Sequence, residues 1–140
     1  MEVRTHFLVQ SERVTYMNDE LQEDSLAKLR SAAMSEMEYI RQLGNNDDLR
    51  MATANLGAFE AILYIIAEQE RGVPVYSVIS NVKSRYAGQS GILVRLRAMR
   101  ELGLLEERAG AKKSQVCLFP SSRLITQLGP ILLEKAKAKP

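Results

Sequence analysis

Thiol and imidazole are nearly missing: the 140-residue chain has one cysteine, Cys117, and one histidine, His6. No disulfide can close within it, and no Cys/His zinc cluster can be assembled from one copy. It also lacks a nucleophile elbow, a phosphate-binding glycine loop and a histidine base beside the only thiol. The carboxylates that do cluster, Glu20, Glu23 and Asp24, fit the acid-rich first turn of a helix. No catalytic residue, metal or cofactor is therefore expected, and the chain reads as a non-enzyme. Long apolar runs are lacking too. In the opening MEVRTHFLVQ only Phe7 to Val9 is apolar, between Glu2 and Glu12, so neither a signal peptide nor a membrane anchor is expected, and the expected location is cytoplasmic. There is no internal repeat and no low-complexity linker.

The charge is unevenly placed. The whole chain carries a formal +2, but residues 71 to 140 hold thirteen Lys/Arg against four Glu, a net +9, and residues 1 to 70 hold six basic groups against thirteen acids, a net −7. This polarity predicts that the C-terminal half meets a polyanion while the N-terminal half does something else.

Along the chain, residues 1 to 17 give no clear period and are left as an arm of unassigned structure, with no role for His6. After Asn18 and Asp19, which can cap free amides, Leu26, Leu29, Ala33, Met37, Ile40 and Leu43 recur at three- and four-residue steps. That spacing predicts a long acidic helix with a narrow apolar stripe, ended by Gly44 and Asn45. NNDDLRMATANLGAFEAILYIIAEQERG restarts as a second helix behind an Asp cap. It is apolar almost all round from Phe59 to Ala67, the mark of a central core helix. Gly72, Val73 and Pro74 stop it. A short helix follows with Val75, Val78, Ile79 and Val82 inward. The next helix, 88 to 102, turns Ile92, Leu96 and Met99 inward and ends at Gly103, a left-handed cap. LLEERAGAKKSQVCLF reads as a β-hairpin with strands at 104–108 and 114–119 and a Lys-bearing tip, with Cys117 a buried small hydrophobe rather than a redox thiol. A last helix carries Pro130, where a kink is expected.

Two helices followed at once by a two-stranded ribbon is the order of a winged helix-turn-helix. In that arrangement the second helix enters the DNA major groove and the ribbon reaches the adjacent backbone or minor groove. The run SGILVRLRAMRELGLLEER, a basic turn, VCLFPS and a final helix together resemble the DNA-binding half of the multiple antibiotic resistance regulator (MarR) family, over residues 47 to 128. The resemblance implies a mainly α protein with a small β-wing: a bacterial, homodimeric transcriptional regulator, expected to repress. Residues 18–46 and 120–140 would form the dimerisation helices around a winged-helix core at 47–119, all in one domain. Three features depart from the family pattern: the tip AGAKKS replaces an Asp followed by Arg, the hairpin exit is FPSS, and SRYAGQ lengthens the turn between the helices.

The partner expected is double-stranded DNA. Gln89 and Ser90, at the start of the second helix, are placed to read base edges, Arg97 a base or phosphate, and Arg95 and Arg100 flanking phosphates, with Val94 also outward. Lys112 and Lys113 at the wing tip are expected on phosphates or in the minor groove, with Arg108 supporting the strand before them. Lys83, Arg85 and Tyr86 fall where the turn approaches the backbone, although Tyr86 equally fits a core aromatic with a rim hydroxyl. The resemblance also implies a small-molecule effector pocket, for which Met34, Met37, Tyr39, Phe59 and Tyr64 are the candidates, although such residues at helical spacing also make simple core. Two other functions fit the same residues: a winged helix that docks an acidic protein, and a DNA-binding accessory module without sequence preference.

Overall fold

A computed structural model describes residues 23–68, 71–110 and 115–137. The chain divides into two compact units, Met1–Glu38 and Tyr39–Pro140. Among the described residues there are six helices and one three-stranded antiparallel sheet, a mainly α architecture. The arm at 1–17 and the caps Asn18 and Asp19 lie outside the described residues.

The first unit is described over 23–38, the greater part of helix α1 (Glu23–Gly44). Glu23 and Asp24 occupy its first turn, where the helix dipole favours acids, and Lys28 pairs with Asp24 one turn on at 3.7 Å. The expected apolar stripe is present, yet Leu26, Leu29 and Met37 are exposed.

In the second unit the end of α1 contributes Leu43, which is buried, and Tyr39, which packs against the core with the Lys135 ammonium 3.8 Å from its ring centroid. The stretch expected as one helix after it is two, α2 (Asp47–Ala52) and α3 (Leu56–Glu68). Asn46, not an Asp, caps α2 by accepting from the Leu49 amide at 3.1 Å. Thr53 turns its hydroxyl back to the Leu49 carbonyl, and Asn55 Oδ1 accepts from the Ala58 amide at 2.9 Å. Short polar side chains that bond nearby backbone in this way end one helix and start another.

Helix α3 is the centre of the core as its composition predicts: Phe59, Ala61, Ile62 and Ile65 are buried, and α5 and β3 pack on it. Strand β1 (Val73–Pro74) and helix α4 (Val75–Asn81) follow. Helix α5 (Gln89–Glu101) buries Ile92, Leu96 and Met99. The hairpin strands β2 (Leu105–Ala109) and β3 (Val116–Pro120) lie one residue later than expected on the first arm and two on the start of the second. The sheet has three strands rather than two, in the order β1-β3-β2, with Val73 opposite Leu118 and Leu105 opposite Pro120. Pro74 is tolerated because β1 is an edge.

Helix α6 (Ser122–Lys137) closes the unit and runs through Pro130. The exit FPSS has a structural use: Pro120 ends β3, and Ser121 caps α6 by accepting from the Leu124 amide at 3.1 Å.

Two glycines are required by the backbone. Gly103 has φ +82°, with its amide donating to Arg100 and the Leu104 amide to Met99, the paired bonds of a Schellman cap. Gly72 has φ +68°, and the Phe119 ring fills the space a Cβ would need. Gly103→Ala meets no close neighbour, so it should cost only the left-handed backbone, about 1 kcal/mol. Gly72→Ala must also displace a core ring and should lower the urea midpoint clearly more. Equal losses for the two would show that Phe119 does not hold this position.

Candidate nucleic-acid interface

The outward face of α5 follows from its buried one. With about 100° per residue, a core row at Ile92, Leu96 and Met99 puts Ser90, Val94, Arg97 and Glu101 on the opposite side, and all four are exposed. Gln89 and Arg95, toward the two flanks, are exposed as well. The helix begins at Gly88 with no side-chain cap and no acid in its first turn. Its first amides are thus open to an external acceptor, the arrangement that favours an anion at a helix start.

The cations sort into two groups. Arg95, Arg97, Lys83 and Arg85 are exposed and make no ion pair among the described residues. Arg100 and Arg108 are engaged. Arg100 reaches from α5 to Glu107 on β2, tying helix to hairpin. Arg108 sits 4.0 Å over the Phe119 ring and 3.3 Å from Glu106. Of the residues expected at the interface, these two are the ones with a role inside the fold. Lys112 and Lys113 lie outside the described residues.

Between α4 and α5 the segment 82–88 replaces a tight turn. It lies against α3 at Gly57, where a Cβ would come within 2.6 Å of the Ala87 methyl carbon and 3.0 Å of Ser84 Oγ. The Ser84 hydroxyl also accepts from the Tyr86 amide at 3.0 Å. Tyr86 itself is exposed, so it is not the core aromatic that was the other reading of this residue. Two residues on this surface escaped the sequence reading. Tyr76 of α4 is exposed, and its hydroxyl is 3.5 Å from the Gln115 amide nitrogen just before β3. Its place about 100° round the helix from the inward Val75, Val78 and Ile79 was the available signal.

A clamp behind α5 was also missed. Arg123 of α6 donates to the Leu102 carbonyl at 2.7 Å and pairs with Asp48 of α2, which also accepts from Gln127 at 3.3 Å. One guanidinium thus caps the end of α5 and joins it to α2 and α6.

Of the effector-pocket candidates, Phe59 is buried in the core and Tyr39 and Tyr64 pack against it, while Met34 and Met37 are exposed on the first unit. Cys117 is buried. Among the described residues no group of His, Cys, Asp and Glu is placed to hold a metal ion, and no helix is long and apolar enough to cross a membrane. The chain matches no protein-family model, no curated protein and no solved structure.

Arg123→Ala should lower unfolding free energy by about 1 to 2 kcal/mol, since it strips a helix-end carbonyl and leaves a largely covered carboxylate with one weak partner. In denaturant titrations the double variant with Asp48→Ala should lose less than the sum of the single losses. Strict additivity would mean that the Arg123–Asp48 pair contributes no coupling.

Proposed function

We propose that this protein binds double-stranded DNA sequence-specifically as a homodimeric bacterial transcriptional regulator of the MarR-like type. In this reading α5 lies in the major groove, the β2–β3 hairpin lies on the backbone or in the minor groove, and repression follows from occluding a promoter. The observation that carries it is the outward face of α5. Ser90, Val94 and Arg97 stand in one exposed row behind an uncapped helix start, flanked by cations that no carboxylate among the described residues neutralises. The order α3, β1, α4, α5, β2, β3, with β1 and β2 on either side of β3, supports the winged-helix reading.

Within it the groups divide by task. Gln89, Ser90 and Arg97 meet base edges. Arg95, Lys83 and Arg85 meet phosphates, and Lys112 and Lys113 do the same from the hairpin tip. Affinity comes mostly from phosphate neutralisation and falls steeply with salt. Discrimination comes from the few side chains at base edges.

Selection of sites from a random duplex library at near-physiological salt should recover an inverted repeat whose half-site centres are about one helical turn apart. Replacing Lys112 and Lys113 by Ala should weaken binding to every sequence and reduce the salt slope by about 2, whereas Gln89→Ala should change which sequence is preferred. Binding unaltered by both changes would remove α5 and the hairpin from the interface. The exposed Val94, Tyr76 and Tyr86 would suit a protein partner, and recovery of no motif with salt-insensitive behaviour would favour that function instead.

A further inference from the structure

Helix α1 carries an apolar row that no described residue covers. Leu26, Leu29, Met37 and Ile40 are between 41% and 60% exposed, and Ala33 in their middle is exposed as well. The row is a palindrome. Counting outward from Ala33, the next apolar members lie four residues away on both sides, Leu29 and Met37, and then seven residues away, Leu26 and Ile40. At about 100° per residue these positions fall about 40° and about 20° to either side of Ala33, so all five share one band of the helix.

A palindrome distinguishes between the two ways a helix can meet its own copy. A parallel pair needs three- and four-residue steps in strict alternation, and continuing that alternation from Leu26, Leu29 and Ala33 puts Glu36 in the seam. An antiparallel pair reverses one chain about a twofold axis, so a sequence symmetric about its centre meets itself in register. Leu26 then faces the partner's Ile40, Leu29 the partner's Met37, and the small Ala33 its own copy at the axis. The flanks agree. Glu23 and Arg41 both lie about 80° to the same side of the band, and reversal sets the acid of one copy beside the base of the other at each end.

We infer that α1 pairs antiparallel with α1 of a second copy of this chain, with the twofold axis at Ala33. The inference rests on the homodimer in the proposed function and on nothing about DNA, so it is tested with DNA absent.

Full-length chains carrying Ala33→Cys, Leu26→Cys or Ile40→Cys are oxidised mildly and run without reductant. Ala33→Cys should crosslink to itself, because the two α-carbons face each other across the axis. Leu26→Cys alone should not, since its two copies stand about 21 Å apart, well beyond the reach of a disulfide. Mixed with Ile40→Cys, it should form a heterodimer. The unaltered chain should stay uncrosslinked because Cys117 is buried. Self-crosslinking of Leu26→Cys as readily as Ala33→Cys would mean parallel pairing and overturn the inference. So would an uncrosslinked Ala33→Cys chain that sediments as a monomer, the result expected if residues of the same chain cover the row. A crosslinked Ala33→Cys with no recovered DNA motif leaves the pairing standing and removes the sequence-specific DNA reading, and the opposite pair of results does the reverse.

Discussion

A helix without a polar face has to be covered on most sides, and α3 imposes that requirement on everything folded around it. Phe59, Ala61, Ile62 and Ile65 are buried, and fully burying one such aliphatic or aromatic side chain is worth about 1.5 to 3 kcal/mol. Cover comes from α5 and from β3, so the position of both is set by the surface of α3. The small residues follow from the same demand. Gly57 lets the segment before α5 approach α3 closely. Gly72 turns the chain beside the Phe119 ring, which belongs to the middle strand of the sheet.

Once α5 is seated on α3 its outer surface has no freedom left. The core row fixes its rotation, the Gly103 cap fixes where it stops, and Arg123 holds that end from α6. Charge is divided by the same geometry. Arg100, Arg108 and Arg123 lie near carboxylates of the second unit and are paired with them. Arg95, Arg97, Lys83 and Arg85 form no ion pair with any described carboxylate. Unneutralised cations near one another repel and cost stability, a cost that an external polyanion removes. In the proposed reading that residue-level separation, more than the net +9 of the C-terminal half, is what suits the surface to a phosphate backbone.

Periodicity made α3, α5, the hairpin and the stripe on α1 legible, because each is a repeated pattern long enough to have a phase. Gly103 was legible as well, since a glycine just past a periodic run has a specific backbone use. Strand β1 was not: two residues carry no alternation, and Val73 and Pro74 become a strand only because β3 offers them an edge. The break between α2 and α3 hides in Thr53 and Asn55, whose side chains bond either to water or back to the helix, and composition does not distinguish the two. At the interface the outward residues could be found by subtraction from the buried row. The retention of Arg100 by Glu107 depends on how the chain turns after Gly103, and that of Arg123 by Asp48 joins residues 75 positions apart, so neither could be read from local spacing.

The stripe on α1 shows the limit of periodicity most clearly, because a period says which residues share a face and nothing about what covers it. Four large apolar side chains left in water are a liability for a lone chain, both in hydration free energy and as a site of nonspecific association. Set against a reversed copy, the same four become a seam. Such pairing would also change what the outer face of α5 can do. One short helix and one hairpin make few phosphate contacts, and affinity built on few contacts is weak at physiological salt. Joining two of them makes the second contact intramolecular, and its effective concentration multiplies the affinity without any new residue at the DNA. In the proposed reading the acidic, apolar-striped N-terminal helix and the basic C-terminal half therefore depend on each other. The first supplies the valence that the second needs, and the opposite charges of the two halves keep the DNA on one of them.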